Sequence, residues 1–444
     1  MTYKIENPDL SKVSQERIAQ VRSEINPELI RLVMETMSPR YLYWDKVKYK
    51  ALPQGITHEE FWVLVKLIRN RFLNRSETPI RDKKKVSFTW LPALSGLPEF
   101  FHDIDLNMGG NLSIFPVDID NTLRFRFISR GIMEEAIASS QLEGANTSRK
   151  VAKKFLREGR KPRNKGEQMI LNNYQTMKMI EDEYQKRRLD KSTLLELHAM
   201  ITTGTIPKIE VGRFRTAQNN IAVYNSDNIV VHQPPAVSFV NQEMDRLIQF
   251  ANDESQGSFI HPVVKAIMIH FWIGYLHPFT DGNGRLARSL FYWYLLRKGY
   301  WAFGFLPLST IIRKSPSQYG MAYLYTEQDE NDLTYFIDYN IRKIKQAKEE
   351  FEEYVARIKK ENMRMAKVSK TKYHLNDRQI QLLRYYFKNK DESTSAKTHM
   401  NVNQISRLTA IKDLRGLERM GFVTSRKIGK EVHYFGTEKV EELF

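Results

Sequence analysis

The chain has 444 residues, with 69 Lys and Arg against 52 Asp and Glu for a formal charge of +17, and it contains no cysteine. Disulfides, thiolate metal sites and a cysteine nucleophile are thereby excluded, which agrees with a reducing compartment. No apolar run approaches the roughly 18 residues of a membrane span, and the N-terminus MTYKIENPDL has no apolar signal core, so a cytoplasmic chain with no membrane partner is expected, and its cationic excess points to an anionic one.

Apolar residues recur mostly at helical spacing, which predicts a mainly α protein. In the first part, helices are expected over 8–24, 28–38 and 57–74. Thr57-His58-Glu59-Glu60 opens the last as a capping box, hydroxyl and carboxylate three residues apart satisfying free amides. From 76 to 120 Pro, Gly and Asp break the pattern into loops and short strands. Helices are then expected over 128–142, 167–187, 191–203, 237–252, 261–276, 284–298 and 309–325, with a long one from 332. The stretch RKVAKKFLREGRKPRNK, 149–165, carries nine basic residues against one acid. It reads as a solvated connection, with an anion-docking surface as the alternative.

Residues 219–234, NNIAVYNSDNIVVHQP, set β-branched runs on either side of NSDN, the pattern of a β-hairpin, and Pro234-Pro235 ends it. The long helix gives way to a basic linker at 366–376. After it come helices at 377–389, 394–401 and 403–420, then two short strands around Gly429, together a winged helix-turn-helix. Its Arg407, Lys412, Arg415, Arg419, Arg426, Lys427 and Lys430 suit phosphate contacts with DNA, and the same module also serves elsewhere as a protein-docking or dimer unit. The expected divisions are 1–120, an α-rich N-terminal domain; 121–345, the central helical domain; 346–372, a helical and basic linker; and 373–444, the winged helix.

Chemistry concentrates in residues 277–288, HPFTDGNGRLAR. His277 stands at the end of an apolar helix that Pro278 stops. A glycine-rich turn, with Gly282 and Gly284 around Asn283, then feeds the next helix, and such a turn points backbone amides at one centre where the helix dipole adds positive charge. Arg285 and Arg288 lie three apart, so both guanidinium groups can reach one polyphosphate. Asp281 is a hard oxygen donor suited to Mg²⁺ between phosphates, and Asn283 can donate its amide to a phosphate oxygen. His277 is the nearby group able to take a proton near neutral pH from an attacking hydroxyl. The set describes transfer from a nucleoside triphosphate to a hydroxyl. The Lys-Ser/Thr of a Walker loop is absent after the glycines, and no HExxH zinc motif occurs.

This dodecapeptide resembles the signature of the Fic family (filamentation induced by cAMP), HxFx(D/E)GNGRxxR, at every fixed position. The resemblance implies a Fic-type helical bundle with a β-hairpin flap, and an adenylyltransferase that moves AMP from ATP to a Ser, Thr or Tyr hydroxyl of a protein with Mg²⁺. It implies His277 as general base, Asp281 as metal ligand, Asn283 as a phosphate contact, Gly282 and Gly284 as the anion hole, Arg285 on the β-phosphate and Arg288 on the γ-phosphate. Gly284 separates the chain from the related Doc kinases, which carry lysine there. The hairpin falls where the family has its flap, implying that Asn219, Asn220, Ile221, Ala222, Val223, Ile229, Val230 and Val231 dock an extended target segment. SSQLEG, 139–144, resembles the inhibitory motif (S/T)xxxE(G/N), with Ser139, Glu143 and Gly144 in place. Ser139 and Glu143 share a helix face, and a bidentate pair of Glu143 with Arg288 would keep that arginine from a γ-phosphate. Self-modification, DNA binding through the winged helix and a homodimer are further expectations. A DNA-binding regulator with a nucleotide-sensing site, and removal of AMP by the same site, are the alternatives.

Overall fold

The computed structural model describes residues 3–443 except 24, 73–74, 95, 110–120, 226, 255–258 and 430. The expected loop at 110–120, Ser226 of the hairpin and Lys430 of the wing therefore lie outside the described residues. The architecture is mainly α. The described sheets are two hairpins and one three-stranded sheet.

The first helices are Gln15–Ser23, Pro27–Met34, Trp44–Val47 and His58–Leu67. The capping box at Thr57 forms, Glu60 N donating to Thr57 Oγ1 at 3.2 Å and Thr57 N to Glu60 Oε2 at 2.9 Å. Strands Ser76–Arg81 and Ser87–Trp90 pair antiparallel. The helix Leu97–Met108 occupies what was expected to be loop. Gly96 and Pro98 hide it, yet they are its punctuation: Gly96 is a left-handed N-cap and Pro98 sits in the first turn, where a missing amide hydrogen costs nothing. Its buried Leu97, Phe100, Ile104 and Met108 follow helical spacing.

This N-terminal region has no core of its own. One continuous core runs from Ile5 to Val355. Arg69, fully buried, joins the two ends: it donates to Thr36 O and Leu42 O at 2.9 Å and to Tyr335 OH at 3.1 Å, and lies over the Tyr41 ring at 3.9 Å.

The central layer begins with Asn121–Leu142, which starts earlier than expected, followed by Arg149–Glu158, Lys165–Asp182 and Lys191–Thr202. Arg149–Glu158 corrects the reading of 149–165 as a plain connection. Ala152, Phe155 and Leu156 are buried, Ser148 caps the start through Val151 N and Gly159 (φ +60°) ends it, so the charges mark one face of an amphipathic helix. Val237–Ala251 leads to the central antiparallel pair, Pro262–Leu276 and Asn283–Arg297. Both are almost wholly buried on every face, as helices in the middle of a bundle must be. The helix expected at 309–325 is two, Leu308–Ile312 and Pro316–Gln328, because Pro316 cannot continue the first.

Thr334–Lys372 is one helix, so the basic stretch expected as a linker from 366 continues it to 372. The C-terminal module has a separate core, from Leu375 to Leu443. Helices Asp377–Lys388, Ala396–Asn403 and Arg407–Arg419 pack with a sheet in which Glu431–Gly436 lies between Ser393–Ser395 and Val423–Ile428. Beneath the third helix Asp413 accepts from Arg378 Nε at 2.7 Å and Asn376 Nδ2 at 2.8 Å, and its Oδ2 lies 3.2 Å from His399 Nε2. These donors hold its carboxyl below the usual range in spite of burial.

Candidate active site

His277 takes a left-handed conformation (φ +47°) at the end of Pro262–Leu276. That turn brings ring atom Nδ1 back to Gly274 O, 2.9 Å away. Since a carbonyl only accepts, Nδ1 carries the proton and Nε2 keeps its lone pair. Burial pushes the imidazole down to about 4, with the neighbouring His232 and Arg215 cations acting in the same sense and the Gly274 carbonyl opposing, so the ring is neutral at pH 7.

Two residues that sequence reasoning passed over build this environment. Arg215 donates to His277 O at 2.8 Å and to Pro235 O at 2.5 Å, tying free carbonyls at the helix end to the segment after the flap. His232 has an acceptor on each nitrogen, Glu327 Oε2 at 2.7 Å and Tyr275 O at 2.8 Å, so it is held as imidazolium. Burial lowers its pKa, but Glu327 and the carbonyl outweigh that and the net shift is upward. Both lie in the stretches that enter and leave the hairpin, VGRFRTAQNNIAV and VHQPP. Their chemistry depends on carbonyls that no pattern displays.

The turn after His277 is rigid. Phe279 is buried and stacks on His198 at 3.7 Å with an 8° interplanar angle. His198 accepts Gly212 N at Nδ1 (3.1 Å), which leaves Nε2 to donate to Asp281 O (3.0 Å). Asn283 spans the turn: Oδ1 accepts Phe279 N at 3.0 Å and Nδ2 donates to Phe279 O at 2.9 Å. Its amide is thus first a clamp, and only the second Nδ2 hydrogen is left for the phosphate contact expected of it. Gly282 (φ +84°) is the left-handed N-cap of Asn283–Arg297.

The two arginines of this helix differ. Arg285, fully buried, donates to Ile201 O at 3.0 Å and pairs with Asp281 Oδ1 at 3.3 Å. The same oxygen accepts Gly282 N. Arg285 is thus held inside the fold by Ile201 O and Asp281. Arg288 Nε donates to Ser139 Oγ at 2.8 Å, and its Nη2 donates to Ser139 O at 3.0 Å and Glu143 Oε1 at 2.8 Å. The expected bidentate Glu143 pair is therefore single, because Ser139 takes the other side of the guanidinium. Gly144 (φ +87°) turns the chain out just beyond. A Cβ on Gly284 would run into the Glu143 carboxylate, so that carboxylate lies directly against the turn as well as on Arg288.

The expected flap is shorter than its sequence suggests. The paired strands are Val223–Tyr224 and Val230–His232, with Val223 opposite His232 and Tyr224 opposite Val230. Asn219, Asn220, Ile221, Ala222 and Ile229 lie outside them. Asn225 Oδ1 accepts Asp227 N and Ile229 N at 3.0 and 2.9 Å, and Thr216 N donates to Asn219 Oδ1 at 2.7 Å, so asparagine turns replace ladder pairs at both ends. Val230 O accepts Tyr3 N at 2.6 Å.

Asp281 is the carboxylate at the turn, with its side chain 41% exposed, and among the described residues no cluster of three or more His, Cys, Asp or Glu could hold a metal by itself. One carboxylate with a free second oxygen suits a Mg²⁺ ion that takes its other ligands from phosphates and water.

The Fic/DOC family pattern matches residues 188–295, which hold His277, the turn and both arginines. This chain carries a Fic domain. The protein adenylyltransferase Fic of Drosophila grimshawi is 35% identical over 135 residues, 30% of this chain and 25% of that one. Protein adenylyltransferase fic-1 of Caenorhabditis elegans is 32% identical over 107 residues, 24% of this chain and 19% of that one. The chain thus spans about a quarter or less of the length of these relatives. Among solved structures, a Fic family protein from Desulfovibrio desulfuricans G20 aligns with a TM-score of 0.48 and 19% identity over 78% of this chain and 96% of that one. Ser139 and Glu143 lie before the matched segment and bond to Arg288 inside it. No described helix is long and apolar enough to cross a membrane.

Proposed function

We propose that the chain is a protein adenylyltransferase, moving AMP from ATP to a Ser, Thr or Tyr hydroxyl of a protein and restrained by its own Glu143. The observation that carries this reading is the contrast at one turn: His277 keeps a free, unprotonated Nε2, whereas Arg288 is taken up by Ser139 and Glu143.

In the proposed reaction the target hydroxyl loses its proton to His277 Nε2 as its oxygen bonds to the α-phosphorus. The bond from that phosphorus to the bridging oxygen breaks and pyrophosphate leaves. Backbone amides of Asn283 and Gly284 and the N-terminal dipole of Asn283–Arg297 face the phosphate charge, Arg285 stiffens the turn through Asp281, and Arg288 holds the far phosphate once released. Mg²⁺ on Asp281 would supply charge neutralisation between phosphates. Glu143 opposes this twice, by neutralising Arg288 and by setting a negative charge against the turn. The flap would align an extended target segment beside His277.

Glu143→Gly incubated with Mg²⁺ and labelled ATP should incorporate AMP, on itself or an added protein, well above wild type. Incorporation no greater than wild type overturns the restraint. None in either protein overturns the transfer.

A second reading concerns the C-terminal module. Arg407, Lys412, Arg415 and Arg419 are all exposed on one helix of three beside an antiparallel hairpin. We infer a winged helix that contacts the phosphates of duplex DNA. Duplex binding by the full chain that weakens steeply with salt supports it, and salt-insensitive or absent binding removes it.

A further inference from the structure

A cavity of about 520 Å³ lies away from the motif, between the N-terminal half of Asn121–Leu142, the helix Arg149–Glu158 and the C-terminal module. That volume is within the range of small-molecule sites, roughly 300–1,000 Å³. Its lining has eight basic residues and three acidic ones. Lys153 is neutralised by Glu134 and Arg378 by Asp413. Arg130 and Arg157 form no ion pair among the described residues. Each instead lies on an aromatic ring, Arg130 over Tyr354 at 3.4 Å and Arg157 over Tyr385 at 3.9 Å.

Cations left on aromatic faces in a partly covered cleft keep their attraction for anions. Two further lining atoms ask for the opposite partner. Gln381 Oε1 and Asn403 Oδ1 are buried acceptors with no hydrogen-bond partner among the described residues, and a buried acceptor left alone costs about 1–3 kcal/mol. Anion, flat ring and hydrogen-bond donor describe one chemical class.

We propose that this cavity is a nucleotide-binding site separate from the Fic motif, its cations taking the phosphate and Tyr354, Tyr385, Gln381 and Asn403 receiving the base. The highly basic run 149–165 then has a use: it delivers Lys153 and Arg157 to this wall. The site also joins two parts of the chain, since Lys154 pairs with Glu392 at 3.0 Å across the same boundary. Met133 lines the cavity, and Ser139 follows it about 9 Å further along the same helix at 1.5 Å per residue, so an occupant presses on the helix that holds Arg288.

The test is calorimetric titration of the full-length protein with GMP and, separately, inorganic pyrophosphate. GMP should bind, more tightly than pyrophosphate, and its affinity should fall roughly ten-fold or more in Arg130→Glu and in Lys178→Gln while Arg288→Ala stays within about two-fold of wild type. Lys178 lines the same cavity and is partly exposed, so its variant keeps the test readable if Arg130→Glu fails to fold. Three results would each overturn the proposal: no GMP binding, pyrophosphate binding as tight as GMP, or GMP binding lost in Arg288→Ala but kept in the two cavity variants. None of these readings depends on AMP transfer, so a failure of the proposed reaction would show up separately.

Discussion

The two helices around the Fic motif and the C-terminal module both present arginines from a helix that follows a turn, and they use them in opposite ways. Arg285 and Arg288 are 0% and 3% exposed, and each of their bonds has a named partner and direction. Arg407, Lys412, Arg415 and Arg419 are exposed. A buried cation is oriented, barely screened by salt and costly to leave unpaired, so it suits a single phosphate at a single place and can be switched by one carboxylate. An exposed row is screened and diffuse, suited to a backbone of many phosphates.

The sharpest way to break this comparison is His277→Ala. With the only free imidazole nitrogen of the turn removed, AMP transfer should drop by ~10²–10⁴-fold in a labelled-ATP assay while ATP binding by calorimetry persists. Loss of both would make His277 a structural residue. Glu143→Gly should act in the other direction, raising transfer by roughly ten- to hundred-fold, the worth of one buried charge-assisted contact.

Next comes the scaffold. Arg215→Gln should destabilise the chain by about 2–3 kcal/mol in denaturant unfolding, because buried carbonyls at the end of Pro262–Leu276 lose a charged donor. Acidification should be milder. Burial holds His198 and His277 at about 4 and His270 at about 3, below the ordinary 6.5. On acidification the unfolded chain takes protons first, so stability present above 6.5 erodes as pH falls and is lost through about 4. His232, with a raised pKa, works oppositely: it adds stability below 6.5 that disappears as pH rises past its folded value. Burial lowers His261 as well, so four histidines against one predict a lower melting temperature at pH 5 than at pH 7. The smallest effect is expected at the exposed row, where Arg407→Ala or Arg415→Ala should change stability by less than about 0.5 kcal/mol. Each should instead reduce the salt slope of any duplex binding by about one.

Legible in the sequence were the mainly helical class, the capping box at Thr57 and the crowding of chemical groups into 277–288. Those are short-range facts: spacing along a helix, a proline that stops it, a glycine that turns it. Long-range packing alone set that Arg285 is held by Ile201 O and Asp281, that Ser139 shares Arg288 with Glu143, that Asn283 clamps the turn, that Arg215 and His232 surround His277, and that 149–158 is a helix beside a cationic cavity. Each of those depends on a backbone carbonyl or a distant side chain as partner. Carbonyls are the same at every residue, so no sequence pattern says which of them a fold will leave open.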